Sequence, residues 1–349
     1  MRTILFVGGG SVGHIAPCVA IWRAVEKLDS TCAAHFICAN RADDRAFLEH
    51  EHVPFTPIDA PKLSLSFLWK FGRAVVQSAA VIRAHKPAVV FSKGGFVSLP
   101  VCIAATWHGI PIVLHESDAV SGRANRIVGL FAKQICVGFP QKTASKKVML
   151  TGNPLRTEVQ SGDKKTGYAL TGFSGKRPVL LVMGGSQGAL AINKAIDVLL
   201  PELLQTFDII HLTGTGKSEA KNIPGYWAQS FVQHELPHLY AITDFAVSRA
   251  GAGSIAELAA NRIATILVPL RGVGHDHQQR NAESVVHAGA CIILQQESLV
   301  EKLPNTLQEL QRDTAQREAI TTHFAAFAHP DAAAKIAKVI CNHIANTRR

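Results

Sequence analysis

The sequence contains no uncharged apolar run of about twenty residues, the length that a membrane-spanning helix requires. Its N-terminus reaches glycine at Gly8, after too few apolar residues for a secretory signal peptide. The seven cysteines are an odd number, and no two of them form a C-x-x-C pair. We therefore expect a protein that does not cross a membrane and keeps its thiols buried in a reducing compartment.

Acidic residues are in the minority, with 26 Asp and Glu against 36 Lys and Arg, which gives a formal net charge of +10. A basic surface favours anionic partners such as nucleic acid, acidic lipid or phosphorylated substrates, and composition alone does not choose among them. Apolar residues make up 47% of the chain and charged residues 18%, as in globular domains. A length of 349 residues is sufficient for two such domains.

Apolar runs alternate with helical patterns along the first half of the chain. A strand predicted at 4–7 is followed by the loop Gly-Gly-Gly-Ser-Val-Gly at 8–13 and by a helix that ends near Leu28. Further strands are predicted at 35–39, 53–57, 89–91 and 112–114. This regular alternation of strand and helix predicts a doubly wound parallel sheet.

The second half repeats the opening of the first. A strand predicted at 179–183 precedes Gly-Gly-Ser-Gln-Gly at 184–188 and a helix that ends near Leu200, so G-G-S-x-G stands between strand and helix in both halves. Strands at 208–212, 244–247 and 264–268 complete the pattern. We predict two domains built on one plan, 1–157 and 176–330, with the helix in the C-terminal segment 331–349 packing back on the first.

The stretch 248–257, S-R-A-G-A-G-S-I-A-E, has two glycines that permit a tight turn after a buried strand. Ser254 and Glu257 have the S-x-x-E spacing of a capping box, which predicts that a helix opens at Ser254. The unpaired amides and the positive dipole end of this helix would suit a phosphate. A plain turn with a capped helix explains the same residues without any ligand.

Three local motifs suggest other functions. G-x-G-x-x-G at 8–13 matches the dinucleotide fingerprint, but Asn40 and Arg41 stand where an acid would bind the ribose of NAD, and Arg41 leaves an NADP enzyme open. T-G-T-G-K-S at 213–218 lacks the first glycine of a Walker loop, because His211 stands there. H-E-L-P-H at 234–238 has Pro237 inside the helix that a zinc site of this type needs.

The chain also lacks a D-x-D motif that could hold a metal on a diphosphate. His275 and His277 flank Asp276 in a polar loop, where solvated side chains are the ordinary explanation. We predict no metal, so a departing diphosphate would depend on helix N-termini and basic side chains.

Residues 62–73, K-L-S-L-S-F-L-W-K-F-G-R, concentrate large apolar side chains between cations. The segment predicts either a core helix or a surface patch that enters anionic lipid. The basic charge balance favours the membrane surface.

Six blocks of the sequence, in this order, resemble the MurG family: GGSVGH at 9–14, SKGGFVSLP at 92–100, HESD at 115–118, TGNPLR at 151–156, GGSQG at 184–188, and the stretch 248–257. The resemblance covers nearly the whole chain. It implies an α/β fold of the GT-B type, in which two Rossmann-like domains with parallel sheets face an interdomain cleft. The donor would bind mainly on the C-terminal domain and the acceptor on the N-terminal one.

The same resemblance implies an inverting transfer of N-acetylglucosamine from UDP-GlcNAc to the 4-hydroxyl of MurNAc in lipid I. Lipid I is the undecaprenyl-pyrophosphoryl-MurNAc-pentapeptide, and the product is lipid II for peptidoglycan synthesis. The implied partners are UDP-GlcNAc, polyprenyl-linked lipid I, an anionic membrane surface and other cell-wall synthesis proteins, without nucleic acid and without a cofactor. The implied location is peripheral, at the cytoplasmic face of the bacterial cell membrane.

The site residues are likewise carried over from the resemblance. Glu257 is expected to bind the ribose, the backbone of Val232 the uracil, and Gln278 with Gln279 the sugar hydroxyls. The predicted UDP-GlcNAc set is Ser11, Val12, Gly13, Asp118, Arg156, Ser186, Val232, Ala252, Gly253, Ser254, Ile255, Ala256, Glu257, Gln278 and Gln279. The predicted acceptor set is Gly94, Gly95 and Phe96.

Two residues are candidates for the catalytic base. His14 follows the first glycine loop at the opening of a helix, where an imidazole tends to be neutral, although packing of the turn would explain it equally. Asp118 stands where the family usually has asparagine, and Val12 where it usually has glycine. The sequence therefore leaves three alternatives for the catalytic base: His14, Asp118, or no side chain.

Three rival functions share parts of this pattern. A UDP-sugar transferase acting on diacylglycerol would share the donor site and the membrane patch. An NADP oxidoreductase would use the first glycine loop, and a sugar-nucleotide sensor would bind the donor without catalysis.

Overall fold

The computed structural model describes residues 2–10, 12–60, 67–141, 143, 145–155, 157–185, 188–214, 223–232, 234–272 and 276–346. The chain divides into two compact units. The first unit comprises residues 1–156 and 330–349, and the second comprises residues 157–329.

The first unit is built on a seven-stranded sheet in which neighbouring strands run parallel. Its strands are β1 (Arg2–Val7), β2 (Cys32–Ala39), β3 (Phe55–Ile58), β4 (Val89–Ser92), β5 (Ile112–Glu116), β6 (Gln134–Val137) and β7 (Val148–Leu150). The spatial order is β3-β2-β1-β4-β5-β6-β7, so the winding direction reverses between β1 and β4. In sheets of this kind the carboxyl ends of the strands at the reversal form the usual ligand crevice.

Helices cover both faces of this sheet. They are α1 (Val12–Leu28), α2 (Ala42–His50), α3 (Phe67–His85), α4 (Ser98–Trp107) and α5 (Arg123–Phe131). Alternate residues of β1 point to opposite faces: Ile4 and Phe6 join the core under α1, and Leu5 and Val7 join the core under α3, α4 and α5.

The second unit has a six-stranded parallel sheet in the order β10-β9-β8-β11-β12-β13. Its strands are β8 (Val179–Met183), β9 (Asp208–Leu212), β10 (Tyr226–Gln229), β11 (Phe245–Ser248), β12 (Ala264–Leu267) and β13 (Ile292–Ile293). Here the winding direction reverses between β8 and β11. The two units therefore share one plan, which confirms the predicted α/β class with two parallel sheets.

The helices of the second unit are α6 (Lys164–Thr171), α7 (Leu190–Leu203), α8 (Leu236–Ala241), α9 (Ala252–Ala260), α10 (His277–His287), α11 (Leu299–Arg312) and α12 (Thr314–Ala325). Short 3-10 helices span Thr157–Gln160 and Gln296–Ser298. The segment between the two predicted domains thus contains regular structure that packs on α8.

The last helix, α13 (Ala332–Asn346), belongs to the first unit. Ile336, Ala337 and Ile340 are fully buried in the core that contains Phe6 and Trp22, where α13 packs against α1. The chain therefore returns to its first unit after completing the second.

The N-terminal end of α3 carries an apolar surface. Leu68 is 83% exposed and Trp69 is 71% exposed, so the core-helix interpretation is wrong for these two residues. Phe67 and Phe71 are half-buried and their rings stack, with centroids 5.4 Å apart. Residues 62–66 of the predicted patch lie outside the described residues. Among the helices that the structure describes, none is both long and apolar enough to cross a bilayer.

Candidate active site

The first glycine loop begins where β1 ends and leads into α1. Gly10 has a φ of +94°, a conformation that glycine adopts without strain. Its amide donates to Oδ2 of Asp44 at 2.9 Å, and its carbonyl oxygen accepts from Nη1 of Arg41 at 2.6 Å. Arg41 is the residue for which the sequence allowed an NADP-dependent enzyme. In the structure its guanidinium supports the loop backbone.

A second glycine loop follows β4. Gly94 and Gly95 have φ values of +90° and +84°. A Cβ on Gly10 would lie 2.5 Å from Cε1 of Phe96, and a Cβ on Gly95 would lie 3.1 Å from the carbonyl oxygen of Gly9. The predicted acceptor residues therefore lie directly against the first glycine loop, at the reversal point of the sheet, and glycine is needed for this close approach.

His14 lies in the first turn of α1 and is half-buried. Burial and then the nearby Lys93 charge lower its pKa, the Asp118 charge raises it, and the net result is a pKa of about 4. The imidazole is therefore neutral at physiological pH and able to accept a proton. The structure brings His14 and Asp118, the two candidate bases, into electrostatic contact.

Asp118 lies in the loop that follows β5 and is half-buried. Its amide donates to Oε1 of Glu116 at 3.0 Å, while Oε2 of Glu116 accepts from the amide of Gly122 at 3.2 Å and from Nδ2 of Asn125 at 2.8 Å. Glu116 is buried, with 3% exposure, and burial raises its pKa. This carboxylate organises the loop that presents Asp118.

Lys93 is a residue of this site that the sequence analysis did not single out. It follows β4 directly, is only 4% exposed, and its Nζ donates a hydrogen bond to the hydroxyl of Ser117. The available signal was its position between a buried strand and two glycines, inside the block SKGG. That position places its charge at the reversal point of the sheet.

The glycine loop of the second unit follows β8. Gly185 and Gly188 have φ values of +79° and +66°, and a Cβ on Gly188 would lie 2.3 Å from the carbonyl oxygen of Thr213. The loop therefore packs closely on the end of β9. Ser186, the predicted nucleotide contact of this loop, lies outside the described residues.

The helix after β11 corrects the predicted capping box. Gly251 is the N-cap of α9 and the helix begins at Ala252, so Ser254 occupies the third helical position and does not cap it. The amide of Ile255 is the first to bond within the helix, to the carbonyl oxygen of Gly251 at 3.0 Å. The amides of residues 252–254 thus precede the helical ladder and form the polar N-terminus.

Side chains along this turn separate into two groups. Ala252, Ile255 and Ala256 are buried, so only their backbone can serve a ligand, whereas Gly253 is exposed and a Cβ there would meet open space. The carboxylate of Glu257 turns to α8, where its Oε2 accepts from the hydroxyl of Tyr240 at 2.8 Å. Glu257 is therefore oriented by a neighbouring helix and not by a capping role.

Arg249 directly follows β11 and supports the turn between β11 and α9. It is 6% exposed, and its guanidinium donates to the carbonyl oxygen of Val268 at 3.0 Å and to Oε1 of Gln296 at 2.7 Å. Burial lowers its pKa. These bonds connect the ends of β11 and β12 to the segment after β13.

The predicted sugar-reading residues lie in the first turn of α10. Oε1 of Gln278 accepts from the amide of Leu270 at 3.0 Å, and Oε1 of Gln279 accepts from Nε of Arg271 at 3.3 Å. Both side chains thus connect α10 to the segment after β12. Val232 is buried, three residues beyond the end of β10.

Other predictions fall on residues that the structure does not describe: Ser11, Arg156, His275 and residues 215–218 of the Walker-like motif. For the HExxH motif, α8 begins at Leu236, so His234 precedes the helix. Nδ1 of His238 accepts from the amide of Asp163 at 2.9 Å. Within the described ranges, no three His, Cys, Asp or Glu side chains are grouped to hold a metal.

Family comparisons match each half of the chain. The glycosyltransferase family 28 N-terminal domain matches residues 4–137, and the glycosyltransferase family 28 C-terminal domain matches residues 179–336. Two parallel sheets, each with a glycine loop at its carboxyl edge, agree with these matches. The class is therefore that of two-domain glycosyltransferases.

Similarity to curated proteins narrows the class. The chain is 37% identical over 327 residues to the UDP-N-acetylglucosamine–N-acetylmuramyl-(pentapeptide) pyrophosphoryl-undecaprenol N-acetylglucosamine transferase 2 of Bacillus cereus, covering 90% of this chain and 92% of that protein. It is 35% identical over 353 residues to the corresponding transferase of Clostridium kluyveri, covering 97% and 99% of the two chains. The chain belongs to this family, the MurG transferases, and the resemblance seen in the sequence is confirmed.

Solved structures agree on the fold. MurG of Acinetobacter baumannii has a TM-score of 0.78 at 24% identity, with 98% of this chain and 100% of that chain covered. A UDP-GlcNAc 2-epimerase from Neisseria meningitidis bound to UDP-GlcNAc has a TM-score of 0.72 at 14% identity, with the same coverage. Because an epimerase shares the fold, the fold alone does not select the reaction.

Proposed function

We propose that this protein transfers N-acetylglucosamine from UDP-GlcNAc to the 4-hydroxyl of MurNAc in lipid I, with inversion at the anomeric carbon, and so forms lipid II. The names of its curated relatives support the reaction. The substrates fit the chemistry of the two sheet edges: a diphosphate suits a helix N-terminus, and a hydroxyl acceptor requires a proton acceptor.

One observation carries the donor half of the proposal. The carboxylate of Glu257 is held by the hydroxyl of Tyr240, one turn beyond the N-terminal amides of α9. A carboxylate binds a pair of ribose hydroxyls through strong, charge-assisted hydrogen bonds, and the amides of residues 252–254 bind the diphosphate. Ribose and diphosphate are neighbouring groups of a nucleotide, and Glu257 follows these amides within the same helix.

The first unit supplies the acceptor half. The 4-hydroxyl attacks the anomeric carbon on the face opposite UDP, and His14, whose pKa is lowered by partial burial and by the Lys93 charge, takes the proton of that hydroxyl as the bond forms. The glycosyl–oxygen bond to UDP breaks with its electron pair going to the diphosphate. Helix N-terminal amides, with Arg156 in the role implied by the family, stabilise this charge.

The polyprenyl chain of lipid I requires a membrane surface, and we assign it to the exposed N-terminal end of α3. Leu68 is 83% exposed there and Trp69 is 71% exposed. Aromatic and aliphatic side chains beside Lys70 and other cations suit an anionic leaflet, so we propose peripheral attachment at the cytoplasmic face.

The decisive experiment is UDP release from UDP-GlcNAc by the full-length protein, with lipid I in one reaction and diacylglycerol in the other. We expect turnover with lipid I and none with diacylglycerol. Turnover only with diacylglycerol would assign the rival transferase, and UDP binding without turnover on either acceptor would assign a sensor. Thermal stabilisation by UDP, in the absence of any NADPH signal, would test the donor separately.

A further inference from the structure

The charge of Lys93 has no assigned task in the reaction, although it lies at the reversal point of the first sheet. A buried ammonium is costly unless it is paired and hydrogen-bonded. Its Nζ donates to the hydroxyl of Ser117. Burial lowers the pKa of Lys93, and Cys18, Glu116 and Asp118 oppose this effect. The side chain thus joins the loop after β4 to the loop after β5.

The loop that receives this bond is held at several points. Nδ2 of Asn153 donates to the carbonyl oxygen of Ser117 at 3.0 Å, and Glu116 accepts the amides of Asp118 and Gly122. Lys93 adds the contact to the Ser117 hydroxyl, directly beside Asp118. Because Asp118 is the next residue, this contact holds the loop that carries it.

Lys93 also acts on His14 through its charge. The charged groups that set the pKa of His14 are Lys93 from the loop after β4 and Asp118 from the loop after β5, while Cys18 lies one turn further along α1. Lys93 disfavours an imidazolium, and Asp118 favours it. Lys93 and Asp118 therefore have opposite effects on the pKa of the proposed base.

We propose that Lys93 is a positioning residue of the transfer reaction: its hydrogen bond to Ser117 fixes the Ser117–Asp118 loop beside the acceptor site. This inference rests on the proposed function. It adds a task for a residue that need not touch either substrate. The neutral imidazole accepts the proton of the acceptor hydroxyl, and the fixed carboxylate stabilises the resulting imidazolium.

The test compares substitutions that separate charge from contact. Lys93→Met removes both, and we expect kcat to fall about tenfold or more, with little change in the KM for UDP-GlcNAc. Because the charge that disfavours imidazolium is gone, the acid limb of the kcat profile should move to higher pH. Ser117→Ala removes only the contact, so kcat should fall without movement of the acid limb. Lys93→Arg keeps the charge, so the acid limb should stay in place.

Lys147→Met is the matched control, since the Nζ of this lysine, in the same unit, also donates a hydrogen bond, to the carbonyl oxygen of Gly129 at 2.6 Å, outside the cluster. It should leave both kcat and the acid limb unchanged. If Lys93→Met fails to fold, Ser117→Ala and Lys93→Arg carry the test. An unchanged kcat in Ser117→Ala, or an unmoved acid limb in folded Lys93→Met, would overturn the role of Lys93 while leaving the transfer reaction intact. A wild-type protein without turnover on lipid I would overturn both.

Discussion

The hydroxyl of Tyr240 donates a 2.8 Å hydrogen bond to Oε2 of Glu257. Tyr240 lies on α8 and is only 2% exposed, so its ring is fixed by the surrounding core. Because one oxygen of the carboxylate is already held, the Glu257 side chain has one orientation before the ribose binds. Less side-chain entropy is then lost on binding. The proposed ribose ligand of the second unit is thus oriented by a residue seventeen positions away in the chain.

Tyr240→Phe removes this hydroxyl and keeps the ring. We expect the affinity for UDP to fall about threefold to tenfold, because the hydrogen bond to a charged group is lost while the fold is kept. Glu257→Ala should weaken UDP binding further, and it should lower the melting temperature little, since Glu257 does not cap α9. Calorimetric titration with UDP and with 2′-deoxy-UDP measures both effects. An unchanged UDP affinity in Glu257→Ala would remove this residue from the site.

The fold could be predicted from the sequence because its signals are local. Continuous apolar runs, G-G-S-x-G loops and helical periodicity lie within short windows, and β1 and β8 end where these glycine loops begin. The contacts that orient the site are not local. Neither Tyr240 nor Lys93 has a neighbouring residue that reveals its partner, because Glu257 and Ser117 meet them only after the sheets have formed.

The wrong capping box has a similar cause. The spacing of Ser254 and Glu257 is correct for a helix that opens at Ser254, but α9 opens at Ala252, with Gly251 as its N-cap. An extended glycine satisfies the entry to the helix without a side-chain bond. Sequence spacing therefore identified the right turn and the wrong first residue.

Leu68→Ser combined with Trp69→Ser should release the protein from anionic vesicles and preserve its fold, because both side chains are exposed. Phe67 is left in place, since it is half-buried and stacked on Phe71. Sedimentation with vesicles of anionic and of neutral lipid, at low and high salt, measures the loss.

Val198→Ser serves as the control for this surface, because Val198 is 66% exposed on α7 of the second unit. It should leave vesicle binding unchanged. Equal binding by the double variant and the wild type would place the membrane contact elsewhere.

Stability should fall as the pH is lowered from about 6.5 to about 4. Burial, and then the charge of His85, lower the pKa of His35 to about 4, and His35 is 7% exposed, with its ring stacked on His85 at 3.7 Å. Between these two pH values His35 binds a proton in the unfolded chain but not in the folded chain. The stability that depends on neutral His35 is therefore fully present above the unfolded pKa of about 6.5 and is lost as the pH falls toward 4. One such histidine accounts for at most about 3 kcal/mol.

Denaturant unfolding at both ends of this pH range tests the assignment. His35→Gln should reduce the difference in unfolding free energy between the two pH values, whatever it does to the stability at neutral pH. His287→Gln, at an exposed position on α10, should leave that difference unchanged. A pH difference that His35→Gln does not alter would assign the acid sensitivity to other groups, such as the buried His115.

The identity of the base is tested by a pair of substitutions in the first unit. His14→Ala should lower kcat by about a hundredfold, the usual contribution of a positioned proton acceptor, with little change in UDP affinity. The expected wild-type kcat is flat from neutral pH down toward the pKa of His14, because burial and Lys93 keep the imidazole neutral there. Steady-state kinetics with lipid I across this range measures both.

Asp118→Asn is the companion, since it removes a carboxylate at almost constant size and restores the residue usual in the family. We expect a smaller loss than for His14→Ala, because Asp118 acts on the imidazolium and does not take the proton itself. Near-normal turnover in His14→Ala, together with a large loss in Asp118→Asn, would make Asp118 the base. If both variants stay active, the reaction proceeds by substrate positioning and leaving-group stabilisation, without an essential base from either side chain.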